Sequence, residues 1–461
     1  MCTVAPAMVR PLGRIWTSPR APLVALVLIS LLSLGARSLL LDEPCQSPCT
    51  TASDHTLIFD EAYYVNAARV IAGIRPATGA HYADAPLGTD PNAEHPQGAK
   101  LIMAAAIEIF GDGPFAWRIG SLLMGSIAIL GMFALVRSAG GGRWPATGAA
   151  ALMACDNLLL VHSRIGTLDI YALAAMTWGV ALYVRGRPVA AGLALAVATC
   201  FKEVAPYALF VLGLVELGRV WAARRDPDPP AHWRLRPAAI RLGATAFVTA
   251  GVFVGLLAIM GEIAPPYADA NAKLITGGPF AEIAHIISYA SHLTSPHGPT
   301  GIASYPWQWL IDLTPIVYLR INPSLPGHGL NAIHPVTAFL GVISPPILVL
   351  GLPALIFAAF RCVRRRAPST GRSAGDRQLA ILAVAWFVGT WVPYALQAVL
   401  DQRTSYLYYM VIVMPGIYLA TTYAVALGWR QRRGWLSGLI AVWSLSVVAA
   451  AVLLYPFVAA F

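Results

Sequence analysis

Two adjacent carboxylates, Asp60 and Glu61, sit among aromatics in the run Phe59-Asp60-Glu61-Ala62-Tyr63-Tyr64. Such a pair could supply a general base and an orienting partner, because crowding two like charges raises one pKa toward the working range. The plain structural alternative is an N-cap pair, with both acids opening a helix where negative charge is stabilised anyway. A second cluster reads Glu94-His95-Pro96-Gln97-Gly98-Ala99-Lys100, ahead of an apolar helix. His-Pro followed by Gly and Lys gives a tight turn with exposed amides and a cation, which suits an anion. An ordinary loop-to-helix junction with a snorkelling Lys would look the same. The third cluster is Asp156-Asn157, Ser163-Arg164 and Asp169, and Arg164 and Asp169 could pair across a turn. Arg118, Arg164 and Lys202 each lie at a helix end. Gathered at one membrane face they would make a basic pocket for a phosphate beneath the headgroups; taken singly, each is a helix-end residue paired with a neighbouring acid.

Further along, Ser304-Tyr305-Pro306-Trp307-Gln308-Trp309 is followed by Pro315 and Tyr318, and Asp401-Gln402-Arg403 by Tyr406, Tyr408 and Tyr409. Aromatic clusters of this kind form membrane belts, but Trp and Tyr also serve as platforms for sugar rings. His81, His95, His285, His292, His297, His328 and His334 all fall in the long loops. Apart from His292 and His297 none shows ligand spacing, so a metal site has little support. Cys45 and Cys49 could close a small disulfide in an oxidising compartment or remain free thiols, while Cys2, Cys155, Cys200 and Cys362 read as membrane or cytosolic thiols.

The elements that must position these groups are membrane helices. Of the 461 residues, 57% are hydrophobic and only 12% charged, and mean hydropathy is +0.64. A soluble protein carries about 25% charged residues. The composition therefore excludes a cytosolic enzyme, a disordered chain and a coiled coil, and the continuous apolar runs exclude a porin-like barrel. Those runs fall near 21–41, 114–136, 144–162, 166–184, 188–201, 204–222, 238–261, 335–360, 378–400, 404–428 and 435–458. This predicts an all-α polytopic protein of about eleven transmembrane helices. The first run is too long for a signal-peptide core and reads as a retained anchor. With the N-terminus in the cytoplasm, 22 of the 32 Lys and Arg lie inside, while Glu216, Asp226, Asp228 and Asp376 are the acids there. The net charge of +10 thus reflects topology, and no nucleic-acid partner is expected. Two long external loops, about 42–113 and 262–334, divide the chain into a module over 1–261, the second loop, and a four-helix module over 335–461. Stretches 60–74 and 99–110 have helical period and are expected as short amphipathic helices at the outer interface.

In this order the motifs are similar to those of the protein O-mannosyltransferase family of GT-C membrane glycosyltransferases, particularly its bacterial branch. The resemblance rests on Asp60-Glu61, His95-Pro96-Gln97-Gly98-Ala99-Lys100, Arg118, Ser163-Arg164 with Asp169, Ser304-Tyr305-Pro306-Trp307-Gln308-Trp309, and Arg403 with Tyr408 and Tyr409. It departs from the family at Gln97, where a second proline is usual, and the second loop is too short to hold the β-trefoil of the eukaryotic members.

The resemblance implies a GT-C fold and transfer of a hexose, typically mannose, from a polyprenyl-phosphate donor to a hydroxyl outside the cytoplasm, with inversion. Asp60 then matches the base and Glu61 its neighbour. Arg118, Arg164 and Lys202 are candidates for holding the lipid phosphate; His95, Lys100, Asp169 and Arg403 support the site, and Tyr64, Trp307 and Trp309 are platforms for acceptor or sugar. The chemistry is coherent: a base on the acceptor side, and cations where charge builds on the leaving phosphate. That leaving group needs neither protonation nor a metal, so no cofactor is required. The expected partners are the lipid donor, an exported protein or glycan acceptor, the bilayer and the export machinery. The expected location is the plasma membrane, with the site and C-terminus on the extracytoplasmic side. The alternatives are a GT-C transferase acting on a glycolipid or cell-wall glycan, and, more remotely, a lipid-linked saccharide transporter. Transporters place charges near the midplane on broken helices, often with repeats, and this chain shows neither.

Overall fold

The structure is a computed structural model and describes residues 18–45, 50–225, 229–319, 339–363 and 371–455. His328, His334, Cys2 and Cys49 lie outside the described residues. Helix dominates because apolar runs in lipid must satisfy their backbone groups internally. In chain order the helices are α1 (Ala21–Ser38), α2 (Glu61–Ile71), α3 (Gly98–Phe110), α4 (Pro114–Ser138), α5 (Arg143–Cys155), α6 (Asn157–His162), α7 (Asp169–Val184), α8 (Pro188–Phe201), α9 (Tyr207–Ala223), α10 (Leu235–Ile263), α11 (Gly278–His292), α12 (Pro345–Val363), α13 (Gly371–Leu400), α14 (Met410–Arg430) and α15 (Gly434–Leu453). Each expected apolar run contains a helix, but in the run 335–360 the described helix begins only at Pro345, because residues 339–341 form a strand instead. By length and composition, seven segments of the described chain are able to cross a membrane, and α7 and α8 are shorter apolar helices.

One expected span is broken. The run 144–162 divides at Asp156, which leaves the helical region (ψ 124°) and caps α6 by accepting from the Leu158 amide at 3.2 Å. The same carboxylate accepts from Ser344 N at 3.1 Å and from Tyr418 Oη at 2.5 Å, so the break is tied to α12 and α14. Asp156 is thereby spent on structure.

At the centre stand α7 and α14. From Asp169 to Thr177 nearly every residue is buried, and from Met410 to Tyr423 all are. The close approach of α4 to α7 requires Gly120, where an added Cβ would collide with the Tyr171 hydroxyl. With 16 and 14 residues, α7 and α8 are about 24 and 21 Å long, short of a hydrocarbon core of about 30 Å. Their neighbouring ends, at Asp169 and Phe201, lie at the end of the bundle where the two long loops gather.

The described parts of those loops are knit together. The Asp90 amide donates to Pro265 O (3.0 Å), and Asp90 O accepts from the Tyr267 amide (2.8 Å). Two antiparallel pairs, β1 (Tyr267–Ala268) with β2 (Lys273–Leu274) and β3 (Ile316–Leu319) with β4 (Phe339–Gly341), make up the named strands of the described chain. The segment 402–405 runs between two flanks, with Thr404 N donating to Leu293 O and Ser304 N to Ser405 O, each at 2.8 Å. The expected helices over 60–74 and 99–110 form as α2 and α3; each packs one face inward, and α3 leaves Ala105, Glu108, Ile109 and Phe110 exposed. Tyr64, Val65 and Ala68 of α2 join the main core, and Ala67 and Val70 pack with Tyr82, Ala85 and Tyr267.

Candidate active site

The Asp-Glu pair splits between two environments. Glu61 is fully buried. Its carboxylate takes Arg118 Nε and Nη2 at 2.8 and 2.9 Å, the Gly166 amide at 2.8 Å and the Ile58 amide at 2.8 Å. A carboxylate engaged by four donors joins three segments and has little capacity left for proton transfer. Asp60 occupies the N-cap position of α2 yet makes no side-chain capping bond, so the helix-capping alternative does not describe it. Before it, Phe59 is held at φ +55°, a backbone state unfavourable for a bulky residue and one that concentrates at functional sites. The Phe59 ring packs on Tyr318 at 4.4 Å and on Tyr408 at 5.5 Å. Burial pushes the Asp60 carboxyl up to about 7, with Lys202 opposing and Asp169 adding to the shift. The like charge acting on Asp60 is therefore Asp169, not the sequence neighbour Glu61.

The wall facing Asp60 is assembled from helix ends. Asp169 opens α7 and Lys202 follows the last turn of α8; they pair at 2.7 Å, both almost fully buried. Arg164, five residues before Asp169, does not take part in this pair. The second oxygen of Asp169 is buried with no hydrogen-bond partner. Lys202 Nζ stands 5.4 Å from the Tyr408 ring and 5.8 Å from the Tyr409 ring, within cation–π range. Glu203, next along, accepts from His95 Nδ1 at 2.7 Å. Burial alone would raise this carboxyl, but His95 and Lys202 outweigh it and hold Glu203 at about 2. The other ring nitrogen of His95 lies 3.5 Å from Tyr64 Oη. His162, fully buried, bonds Tyr318 Oη at 2.7 Å and stacks on Tyr408.

Gly98 explains how His95 reaches Glu203. A Cβ there would stand 2.6 Å from the Cys200 carbonyl oxygen, so the start of α3 can press onto the end of α8 only with glycine. The turn was expected to expose amides and a cation to an anion; instead its cation is consumed. Lys100 is fully buried against Asp90 at 2.5 Å and donates to the carbonyls of Asn92 and His95. It holds the loop that carries His95.

The expected pocket of three basic residues does not form as one group. Arg118 and Arg164 converge on the end of α1 and the chain just after it. Arg118 Nη1 donates to the carbonyls of Leu41 (2.5 Å) and Glu43 (2.9 Å), and Arg164 Nη2 to those of Leu39 (3.1 Å) and Leu40 (3.0 Å). Cations at a helix C-terminus satisfy carbonyls that have no intrahelical partner. Lys202 belongs to the other group, with Asp169 and Asp60. Arg403 contributes from the 402–405 segment: it donates to Ala290 O, and its buried Nε has no hydrogen-bond partner. Of the expected platforms, Tyr64 is buried beside His95, and Trp309 is buried with Nε1 on Ser304 Oγ at 2.9 Å and its ring edge-on to Tyr394 and Tyr409. Trp307 is 45% exposed and stacks on Tyr305 at 4.5 Å. It borders a cavity of about 320 Å³ shared with Arg403. Among the described residues no three His, Cys, Asp or Glu come together as a metal-binding group. Cys45 is disulfide-bonded, and Cys155, Cys200 and Cys362 are free thiols.

Sequence reasoning assigned neither Glu203 nor His162 to the site. A carboxylate directly after Lys202 was the available signal for the first; His162 lies inside an apolar run and gave none.

Residues 94–224 match the profile of the family described as dolichyl-phosphate-mannose-protein mannosyltransferase. A polyprenol-phosphate-mannose–protein mannosyltransferase of Mycobacterium tuberculosis is 24% identical over 369 residues, covering 70% of this chain and 67% of that protein. Among solved structures, the Saccharomyces cerevisiae protein O-mannosyltransferase Pmt1–Pmt2 complex bound to the sugar donor superposes with a TM-score of 0.71 at 12% identity, covering 97% of this chain and 92% of that one. ArnT from Cupriavidus metallidurans bound to undecaprenyl phosphate superposes with a TM-score of 0.52 at 17% identity, covering 95% and 65%. The chain is thus a polytopic membrane protein with the GT-C fold, and it resembles the protein O-mannosyltransferase family in the order of its motifs and in its 94–224 sequence.

Proposed function

We propose that this protein transfers mannose from a polyprenyl-phosphate-linked donor to a Ser or Thr hydroxyl of an exported protein, with Asp60 as the general base. It is a glycosyltransferase of the lipid-phosphate-sugar-dependent kind, as its relatives are. The observation that carries the mechanism is the unequal use of the two adjacent acids. Glu61 is saturated by Arg118 and backbone amides, whereas Asp60 is free of capping bonds and has a pKa near 7, where a base works best.

The acceptor hydroxyl approaches Asp60 as its oxygen attacks the anomeric carbon. The carbon–oxygen bond to phosphate breaks with inversion, the phosphate leaves with the bonding pair, and the hydroxyl proton passes to Asp60. Lys202 is the cation for the charge that builds on the departing phosphate, kept in place by Asp169 and the Tyr408 and Tyr409 rings, and Arg403 is the second candidate. A lipid monophosphate leaves without protonation, so this scheme calls for neither metal nor cofactor, and transfer is expected to survive a chelator. The arginine distribution supports a cytoplasmic N-terminus and an extracytoplasmic site in the plasma membrane. That is the side where exported chains arrive, so the export machinery is a natural partner.

The test is a survey with purified protein and radiolabelled polyprenyl-phosphate mannose. Label on a Ser/Thr peptide supports the proposal. Label on a glycolipid alone, or no transfer to any acceptor, overturns it.

A further inference from the structure

The last helix is held loosely. Of the 20 residues of α15, Val447 is the buried one. Its Trp443 ties it to α12 through Nε1 donating to Pro346 O at 2.7 Å. Between α15 and the pair α5 and α14 lies a groove of about 800 Å³, lined by Trp144, Gly148 and Leu152 of α5, Trp429 of α14, and Trp443 and Val447 of α15. Helices that meet normally interdigitate side chains, and in lipid that packing drives their association. Here an apolar volume takes its place.

Three observations identify the occupant. The first is length. Lining residues on α5 run from Trp144 to Cys155, about 17 Å of helix, which matches half of a hydrocarbon core about 30 Å thick. The second is position. α5 ends at Asp156 and α14 begins beside Tyr409, so the Arg143 and Arg430 ends of these helices lie at the face of the bundle opposite the active site. Trp144 and Trp429 are both exposed at that mouth, as interfacial aromatics are. The third is charge. Arg143, Arg430, Arg432 and Arg433 are all exposed there, against Asp376, which pairs with Arg430 at 2.6 Å. An apolar slot one leaflet deep, opening under an excess of guanidiniums, fits a lipid with an acidic headgroup.

We propose that this groove is a binding site for one anionic phospholipid of the leaflet opposite the active site. Its acyl chains fill the space between α15 and the α5–α14 pair, and its phosphate lies among the arginines. The lipid completes the packing of the last helix and takes no part in the transfer reaction.

The full-length protein, purified in mild detergent, tests this by native mass spectrometry and by thermal unfolding with added phosphatidylglycerol or phosphatidylcholine. The wild type is expected to retain one phospholipid, to prefer phosphatidylglycerol about tenfold, and to be stabilised by it alone. Gly148→Leu fills the groove from a position where a new Cβ meets nothing within 4 Å, and leucine is a better helix former than glycine. That variant is expected to fold, lose the bound lipid and lose the thermal response. The double variant Arg143→Gln with Arg430→Gln is expected to keep a lipid but bind both headgroups equally. Failure of the wild type to retain any lipid, or equal retention of both headgroups by it, overturns the proposal. So does displacement of the lipid by polyprenyl phosphate, or a dimer that Gly148→Leu dissolves.

Discussion

Two clusters of buried charge stand at the same end of this molecule and use the same residue types. In one, Glu61, Arg118 and Arg164 bind each other's segments and the last carbonyls around α1, and Glu61 has a donor on every side. In the other, Asp60, Asp169, Lys202 and Arg403 leave groups unspent: Asp60 caps nothing, and one Asp169 oxygen and Arg403 Nε have no hydrogen-bond partner. Burial and charge alone do not separate scaffold from site. What separates Glu61 from Asp60 and Asp169 is whether the carboxylate oxygens are already satisfied, because a buried polar atom without a partner is costly and persists mainly where a ligand or a reaction uses it.

The largest contrast is expected from Asp60→Asn. Loss of a general base costs about 10²–10⁴-fold, so transfer should fall by that factor in a radiolabel assay while the protein stays monodisperse. Burial raises the Asp60 pKa to about 7 in the folded state. Folding therefore favours its protonated form, and the stability this gives is lost as pH rises through 7, so the neutral Asn should not lower the thermal midpoint at pH 8. For the same reason wild-type transfer should climb about tenfold per unit as pH rises toward 7 and then level off. A flat profile between pH 5 and 7 would remove Asp60 from the base role.

Arg118→Ala should do the opposite. It strands Glu61 in a dry environment, where breaking a buried pair costs about 3–5 kcal/mol, so yield and thermal midpoint should drop. Pairing Arg118→Met with Glu61→Gln should recover much of that loss. If both single variants instead fold normally and lose only turnover, the cluster is part of the site and the comparison fails. The smallest effect is expected at the seam between loops. Gly98→Ala sets a Cβ against the Cys200 carbonyl, an overpacking of about 1–3 kcal/mol. It should shift the His95–Glu203 contact, seen as a modest loss of thermal midpoint with a partial loss of transfer.

The membrane helices were legible because their signal is local: a run of apolar residues long enough to span declares itself without knowledge of its neighbours. The break at Asp156 inside such a run was hidden because its partners Ser344 and Tyr418 lie far along the chain. The order of motifs pointed to the correct fold, and Asp60, Asp169 and Lys202 do gather at one end of the bundle. Pairing inside that end was not legible. Arg164 and Asp169 are near in sequence, yet Asp169 meets Lys202 from the end of α8, while Arg164 turns back to α1.

The sequence by itself determined that this is a many-helix membrane protein, which loops are long, and which few charges break the topological pattern. Those properties depend on composition and on spacing along one helix. Tertiary structure alone decided that Asp60 and Glu61, one residue apart, have different fates, and that Lys202 parts company with Arg118 and Arg164. Arg118 lies 57 residues from Glu61 and Lys202 lies 33 from Asp169. Which charge a buried acid meets depends on how helix ends converge in space, and no local pattern encodes that.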